Sequence, residues 1–169
     1  MEVYTHEDFS IQLTAEVFHK ISKQTFTCLP EEACGVLLGN LSERHLLMDD
    51  YIPIRNTAAD PRHQFSLDPV QWTSLLLKKH RIFGLFHSHP SSLPVPSQDD
   101  LHQLQSFGGL FHVYFIGSPQ NSQPGNLLLQ AYLIVKDCSS PQATSPSSQE
   151  SNRWMWSLRQ EDYTLLRST

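Results

Sequence analysis

The chain reads as a mixed α/β protein in which helices flank one central mixed β-sheet. Two observations predict this class. Apolar runs of strand length, such as ACGVLLG at 33–39, are interspersed with amphipathic segments of helical period. The strands do not alternate strictly with the helices, which favours one sheet flanked by helices. The 169 residues, 39% of them hydrophobic, suit one domain with a single proper core.

Each element follows from local chemistry. Phe9–Leu13 alternates and predicts a short strand. Thr14 is an N-cap candidate for a helix over Ala15–Phe26, with Val17, Phe18, Ile21 and Thr25 near one face. Leu29-Pro30 stops it. Ala33–Gly39 predicts a buried strand, and Arg44–Ile54 a second. Residues 55–63 form a polar loop, and Gln64–Leu67 a short strand. Asp68-Pro69 opens a helix running to Lys79, the acid at the cap and proline at the first helical position. Arg81–Ser88 predicts a strand, Ser91–Pro96 a proline-bearing loop, and Ser97 the start of a third helix reaching Phe107. Strands follow at Phe111–Gly117 and Leu127–Val135.

Residues 1–136 thus form the predicted domain. Residues 137–153, rich in Ser, Pro and Gln, form a linker or mobile loop with too little apolar content to pack. Residues 154–169, with Trp154, Trp156 and Tyr163–Leu166, form an element that docks back on the same domain.

Composition excludes several classes. A formal net charge of −5 is a poor match to nucleic acid or to an anionic membrane surface. Cys28, Cys34 and Cys138 are odd in number and form no CxxC pair, which argues against a disulfide framework and a cysteine-based zinc site. The N-terminal residues carry no signal-peptide pattern and no apolar run reaches bilayer length. The expectation is a cytoplasmic protein with reduced thiols.

The chemistry concentrates in GLFHSHPSSLPVPSQDD at 84–100. His87 and His89 stand at i and i+2 at a strand end, so both imidazoles leave one face. Ser97-x-x-Asp100 is a helix-start signature whose third-position carboxylate points back toward the preceding strand. Two imidazoles and one carboxylate leave an ion one open position for water, the catalytic rather than the structural arrangement of zinc. One Asp100 oxygen can face the metal while the other accepts the Ser97 backbone N–H. Ser97 Oγ can accept a helix N–H and still donate its own hydrogen to an oxyanion. A proton carrier outside the ligand set is also needed, and Glu31 and Glu32, just before ACGVLLG, both qualify. Taken one at a time these residues have bland readings: Asp100 as a cap, the two glutamates as solvated acids, and Cys34 as a small core residue. His63, His80 and His102 read as surface residues, and His112 as structural.

Together, His87-x-His89-Pro90, six residues, Ser97-x-x-Asp100 and the upstream Glu32-x-Cys34-Gly35 resemble the JAMM signature of the MPN (Mov34/PAD-1) family of zinc metalloproteases. The likeness covers residues 10–135. It implies a cytidine-deaminase-like MPN fold and one Zn2+ per chain, held by His87, His89 and Asp100 with a catalytic water. It makes Glu32 the general acid/base, leaves Glu31 a bystander, and makes Ser97 the oxyanion donor. The implied reaction is hydrolysis of a peptide or isopeptide bond. The short chain resembles compact prokaryotic members that cut after the C-terminal Gly-Gly tail of a ubiquitin-like, sulfur-carrier-type protein. Residues 137–153 and Trp154–Trp156 match no feature of that family. The alternative is a catalytically silent MPN-like module that binds zinc and acts by interaction. An amidohydrolase-type barrel would need about 250 residues, and a nucleobase deaminase would need H-x-E with P-C-x-x-C, which the chain lacks.

Overall fold

A computed structural model describes residues 9–78, 81–120, 122–123, 125–136 and 155–167. The 137–153 stretch, Cys138, Trp154, His80 and Lys79 lie outside the described residues. The strands are β1 (Ser10–Thr14), β2 (Cys34–Ser42), β3 (His45–Ile54), β4 (Ile82–Ser88), β5 (Val113–Pro119), β6 (Leu127–Lys136), β7 (Trp156–Glu161) and β8 (Tyr163–Leu166). The helices are α1 (Ala15–Cys28), α2 (Pro69–Leu77) and α3 (Gln98–Phe107). All eight strands join one sheet in the order β7-β6-β5-β4-β2-β3-β1-β8. β1 runs parallel to β3 and β8, and β4 parallel to β5, while the other pairs are antiparallel. Among the described residues no helix is long and apolar enough to cross a membrane.

The caps form as their chemistry directs. Thr14 Oγ1 accepts from Val17 N, and Asp68 accepts from the N–H groups of Val70 and Gln71 with Pro69 inside the first turn. Each such cap contributes about 1 kcal/mol. α1 continues past Phe26 to Cys28 before Leu29-Pro30 ends it. The strand expected at Gln64–Leu67 is instead a single bridge from Leu67 to Asn56. The Asn56 side chain takes the place of a ladder partner: Oδ1 accepts from Ser66 N, and Nδ2 donates to the Gln64 carbonyl. Backbone groups satisfied by a side chain leave no repeat for a strand to follow.

Helices cover both faces of the sheet. On one, Val17 and Ile21 of α1 pack against Leu13, Leu37, Met48, Phe86 and Phe115. On the other, Leu75 of α2 and Leu104 of α3 pack against Val36, Leu85, Tyr114 and Ile116. Full burial of each large apolar side chain contributes about 1.5–3 kcal/mol. Alternation along β4 puts Leu85 and His87 on the α2/α3 face, and Phe86 on the α1 face.

β7 and β8 are separated only by Asp162, yet they pair at opposite ends of the strand order, β7 with β6 and β8 with β1. The sheet therefore curls until one continuous stretch of chain joins its two edges. Trp156 anchors this stretch on the 3-10 turn Gly108–Leu110 after α3. Gln105 Oε1 accepts from Met155 N and Trp156 N, and its Nε2 donates to the Trp156 carbonyl. A Cβ on Gly108 would lie 2.5 Å from Trp156 Cγ, whereas one on Gly109 would meet Trp156 at 3.3 Å. Gly108 has ordinary helical φ and ψ, so packing rather than backbone freedom demands the glycine. Gly108→Ala should destabilise the fold by about 1–3 kcal/mol, and Gly109→Ala by clearly less. Urea unfolding of the two variants checks the order.

Candidate metal centre

The centre lies where β4 ends and α3 begins. β4 brings His87 into register with Cys34 of β2 and Ile116 of β5. His89 sits just past the strand, held to β5 by its backbone N–H, which donates to the Gly117 carbonyl at 2.8 Å. The two Nε2 atoms are 2.9 Å apart.

Ser97 caps α3, and the box is reciprocal: Ser97 Oγ accepts from Asp100 N at 3.1 Å, and Asp100 Oδ2 accepts from Ser97 N at 2.7 Å. This fixes the carboxylate over the strand end. Oδ1 lies 3.1 Å from His87 Nε2, and Oδ2 lies 3.3 Å from His89 Nε2. All three side chains are buried, and among the described residues they are the one His/Cys/Asp/Glu group gathered closely enough to hold an ion. Bonds of about 2.0–2.1 Å in a tetrahedral zinc site put ligand atoms about 3.3 Å apart. The observed separations of 2.9–3.3 Å fit such an ion with slight expansion. His89 Nδ1 lies 2.9 Å from the Leu93 carbonyl. A carbonyl only accepts, so Nδ1 carries the proton and Nε2 offers a lone pair to the centre.

The electrostatics suit a cation. Burial is the largest influence on Asp100 and raises its pKa, but the two histidines outweigh it and hold the carboxyl well below the usual range. Burial holds His87 below the ordinary imidazole value against the pull of Asp100. For His89, burial is outweighed by Asp100 and the Leu93 carbonyl, and the value rises. Phe65 stacks on His87 with ring centres 4.5 Å apart, sealing its outer side.

The two candidate glutamates separate by environment. Glu31 is exposed, while Glu32 retains 6% of its exposure. Glu32 N–H donates to the Pro61 carbonyl at 2.7 Å, and its own carbonyl accepts from Asn56 Nδ2 at 3.1 Å. Burial pushes its carboxyl up to about 8; His89 opposes the rise, while Asp100 and Asp60 add to it. Glu32 thus sits within the field of the triad without joining it. Ser88 fixes that relation: its Oγ accepts from Ala33 N at 2.8 Å and its N–H donates to the Ala33 carbonyl at 2.9 Å. Ser97 is exposed at the lip of the site, and its hydroxyl hydrogen remains available to donate. A groove of about 370 Å³ opens beside Asp100, between residues 63–65 and α3.

The other singled-out residues stay apart. Asp99 is exposed; His63 is exposed beside Asp60, and His102 is exposed on α3. His112 stacks on Phe83. Cys34 is fully buried with its thiol toward the Ile54 carbonyl, and burial pushes its pKa up to about 12, which leaves it inert. Sequence reading passed over Asn56, Phe65 and Ser88. Ser88 had a signal, being the residue between the two histidines; Asn56 and Phe65 act through loop geometry that leaves no periodic mark.

The sequence profile of the prokaryotic homologs of the JAB domain matches residues 14–134, and the chain belongs to this family. Among individual proteins, the desampylase of Haloferax volcanii is 39% identical over 94 residues, covering 53% of this chain and 64% of that enzyme. The alignment therefore spans a little under two thirds of the relative. A Desulfitobacterium hafniense protein of known solution structure shares the fold, with a TM-score of 0.66 and 22% identity over 94% of both chains.

Proposed function

We propose that the protein is a zinc-dependent peptidase or isopeptidase that cuts after the C-terminal tail of a ubiquitin-like protein of the sulfur-carrier type. The observation that carries the reading is the pairing of one gathered His-His-Asp triad with one buried, proton-holding glutamate beside it. A bound Zn2+ would supply positive charge to polarise the scissile carbonyl and acidify water. His87, His89 and Asp100 would hold it. Glu32 accepts the proton of the attacking water and returns it to the leaving amine, a role that suits a carboxyl with a value near neutrality. Ser97 donates its hydroxyl hydrogen to the developing oxyanion. The identity to a desampylase supports a ubiquitin-like modifier as the acyl partner.

The test is mass spectrometry of a ubiquitin-like carrier bearing an extension after Gly-Gly. Cleavage at that bond is expected from zinc-loaded protein, with loss under a chelator and recovery on re-addition of zinc. A protein that binds zinc stoichiometrically yet cleaves no such carrier would instead be an interaction module.

A further inference from the structure

Two buried side-chain atoms have no hydrogen-bond partner among the described residues: His87 Nδ1 and the Tyr114 hydroxyl. They belong to neighbouring rings. Tyr114, fully buried on β5, meets His87 edge-on with ring centres 5.4 Å apart. Buried polar atoms are rarely left unmatched, because each costs the full loss of its hydration. The two orphans are not bonded to each other as placed, but they sit on touching rings, so a single internal water between them would satisfy both.

The metal chemistry gives the same direction. His87 Nε2 faces Asp100 and His89, so it is the nitrogen that would bind the ion. A neutral imidazole that binds through Nε2 carries its proton on Nδ1, and that N–H needs an acceptor. His89 has one in the Leu93 carbonyl. For His87, the nearby candidate is the Tyr114 phenol oxygen, which can accept through one internal water. Burial, with Asp100, Glu32 and Cys34 adding to it, raises the Tyr114 pKa well above the ordinary phenol value, so the hydroxyl stays neutral and its oxygen keeps lone pairs to accept with.

We propose that Tyr114 is a positioning residue for His87: its hydroxyl receives the His87 Nδ1–H through one internal water, and so fixes the tautomer that presents Nε2 to the metal. The proposal rests on the metal-site reading above. Nothing is transferred or broken; the hydroxyl selects which nitrogen keeps the proton.

Tyr114→Phe separates this from an idle hydroxyl, because the two cases predict opposite results. A positioning hydroxyl should weaken zinc affinity about 10–100-fold, measured by competition with a chromogenic chelator. It should also leave the metal-free melting temperature unchanged or lowered. An idle, dehydrated hydroxyl should give a higher metal-free melting temperature and zinc affinity within twofold of wild type, and that result overturns the proposal. A second readout uses the wild-type protein loaded with zinc and labelled with 15N at histidine. The His87 Nδ1–H resonance should be hydrogen-bonded and slow to exchange, and should move in Tyr114→Phe; a resonance that does not move counts against the link. Should wild type take up no zinc, the metal reading falls by itself. The metal-free melting temperature would still judge the Tyr114–His87 contact, a gain refuting it and no gain supporting it.

Discussion

Replacing Glu32 by glutamine should lower the rate of carrier cleavage by about 10²–10⁴-fold while leaving zinc stoichiometry intact, and should make the metal-free protein more stable at pH 7. The second effect follows from the sign of the shift. The carboxyl has an ordinary value of 4.5 and is pushed up to about 8 in the fold. The folded state therefore holds a proton that the unfolded chain releases, and stability falls as pH rises from 4.5 toward 8. At about 1.4 kcal/mol per pH unit, the cost at pH 7 is about 3 kcal/mol. Glutamine keeps the shape and removes the cost, so the melting temperature should rise by about 6–12 °C. At pH 4 the carboxyl is protonated in both states and the gap should close. A bound divalent cation favours the carboxylate, so loading with zinc should shrink the gap at pH 7 as well. A variant that keeps wild-type activity would remove Glu32 from its role, whatever its stability. Calorimetry of metal-free and loaded protein across pH 4–8, beside a cleavage assay, measures both arms.

Asp100→Ala should have an equally large effect through a different route. It removes one of the three candidate ligands and the acceptor for Ser97 N–H together. Zinc should no longer be retained on gel filtration, and cleavage should fall to background. Loss of the reciprocal cap should cost about 1 kcal/mol besides. Asp99→Ala is the matching control. Asp99 is exposed, and its carboxylate accepts from the Gln64 amide at 3.4 Å, so its replacement should change stability by no more than about 0.5 kcal/mol and leave zinc content unchanged. Equal loss of zinc from the two variants would mean that the cap does not aim Asp100 at the ion. Acid titration adds a check on metal-free protein. The value of Asp100 is held below 3.8 in the fold, so its stabilising contribution is complete above that pH and is lost on descent below it. Asp100→Ala should therefore flatten the acid limb of the stability curve.

How much of this was legible beforehand depended on whether the signal was local. Thr14, Asp68-Pro69 and Ser97-x-x-Asp100 mark helix starts because a cap is satisfied within three residues. His-x-His marks one face of a strand because side chains alternate. Those patterns position four of the five candidate site residues. The choice between Glu31 and Glu32 came from the resemblance carried by Glu32-x-Cys34-Gly35, and its physical reason is not local. It depends on the Pro61 carbonyl and the Asn56 amide, which belong to a loop far along the chain, and from residue types alone the two acids are equivalent. The Gln64–Leu67 expectation failed for a related reason, since an asparagine side chain can stand in for a strand and composition does not reveal it. The Phe65 and Tyr114 contacts with His87 were invisible because core aromatics look alike in sequence whether they touch a ligand or a leucine.

The junction at Asp162 bears on how the chain reaches its native state. β1 precedes every other strand in sequence, yet its outer partner is β8, so that ladder cannot form until nearly the whole domain has been assembled. The pairing is among the most non-local in the fold, and non-local pairing slows folding because loop closure must precede the contact that rewards it. Until then an intermediate exposes two open strand edges, on β1 and on β6, each able to recruit the same strand from another molecule. One short segment thus governs both edges at once, so a lesion that loosens Trp156 from Gly108 would surface as domain-swapped or aggregated protein at high concentration.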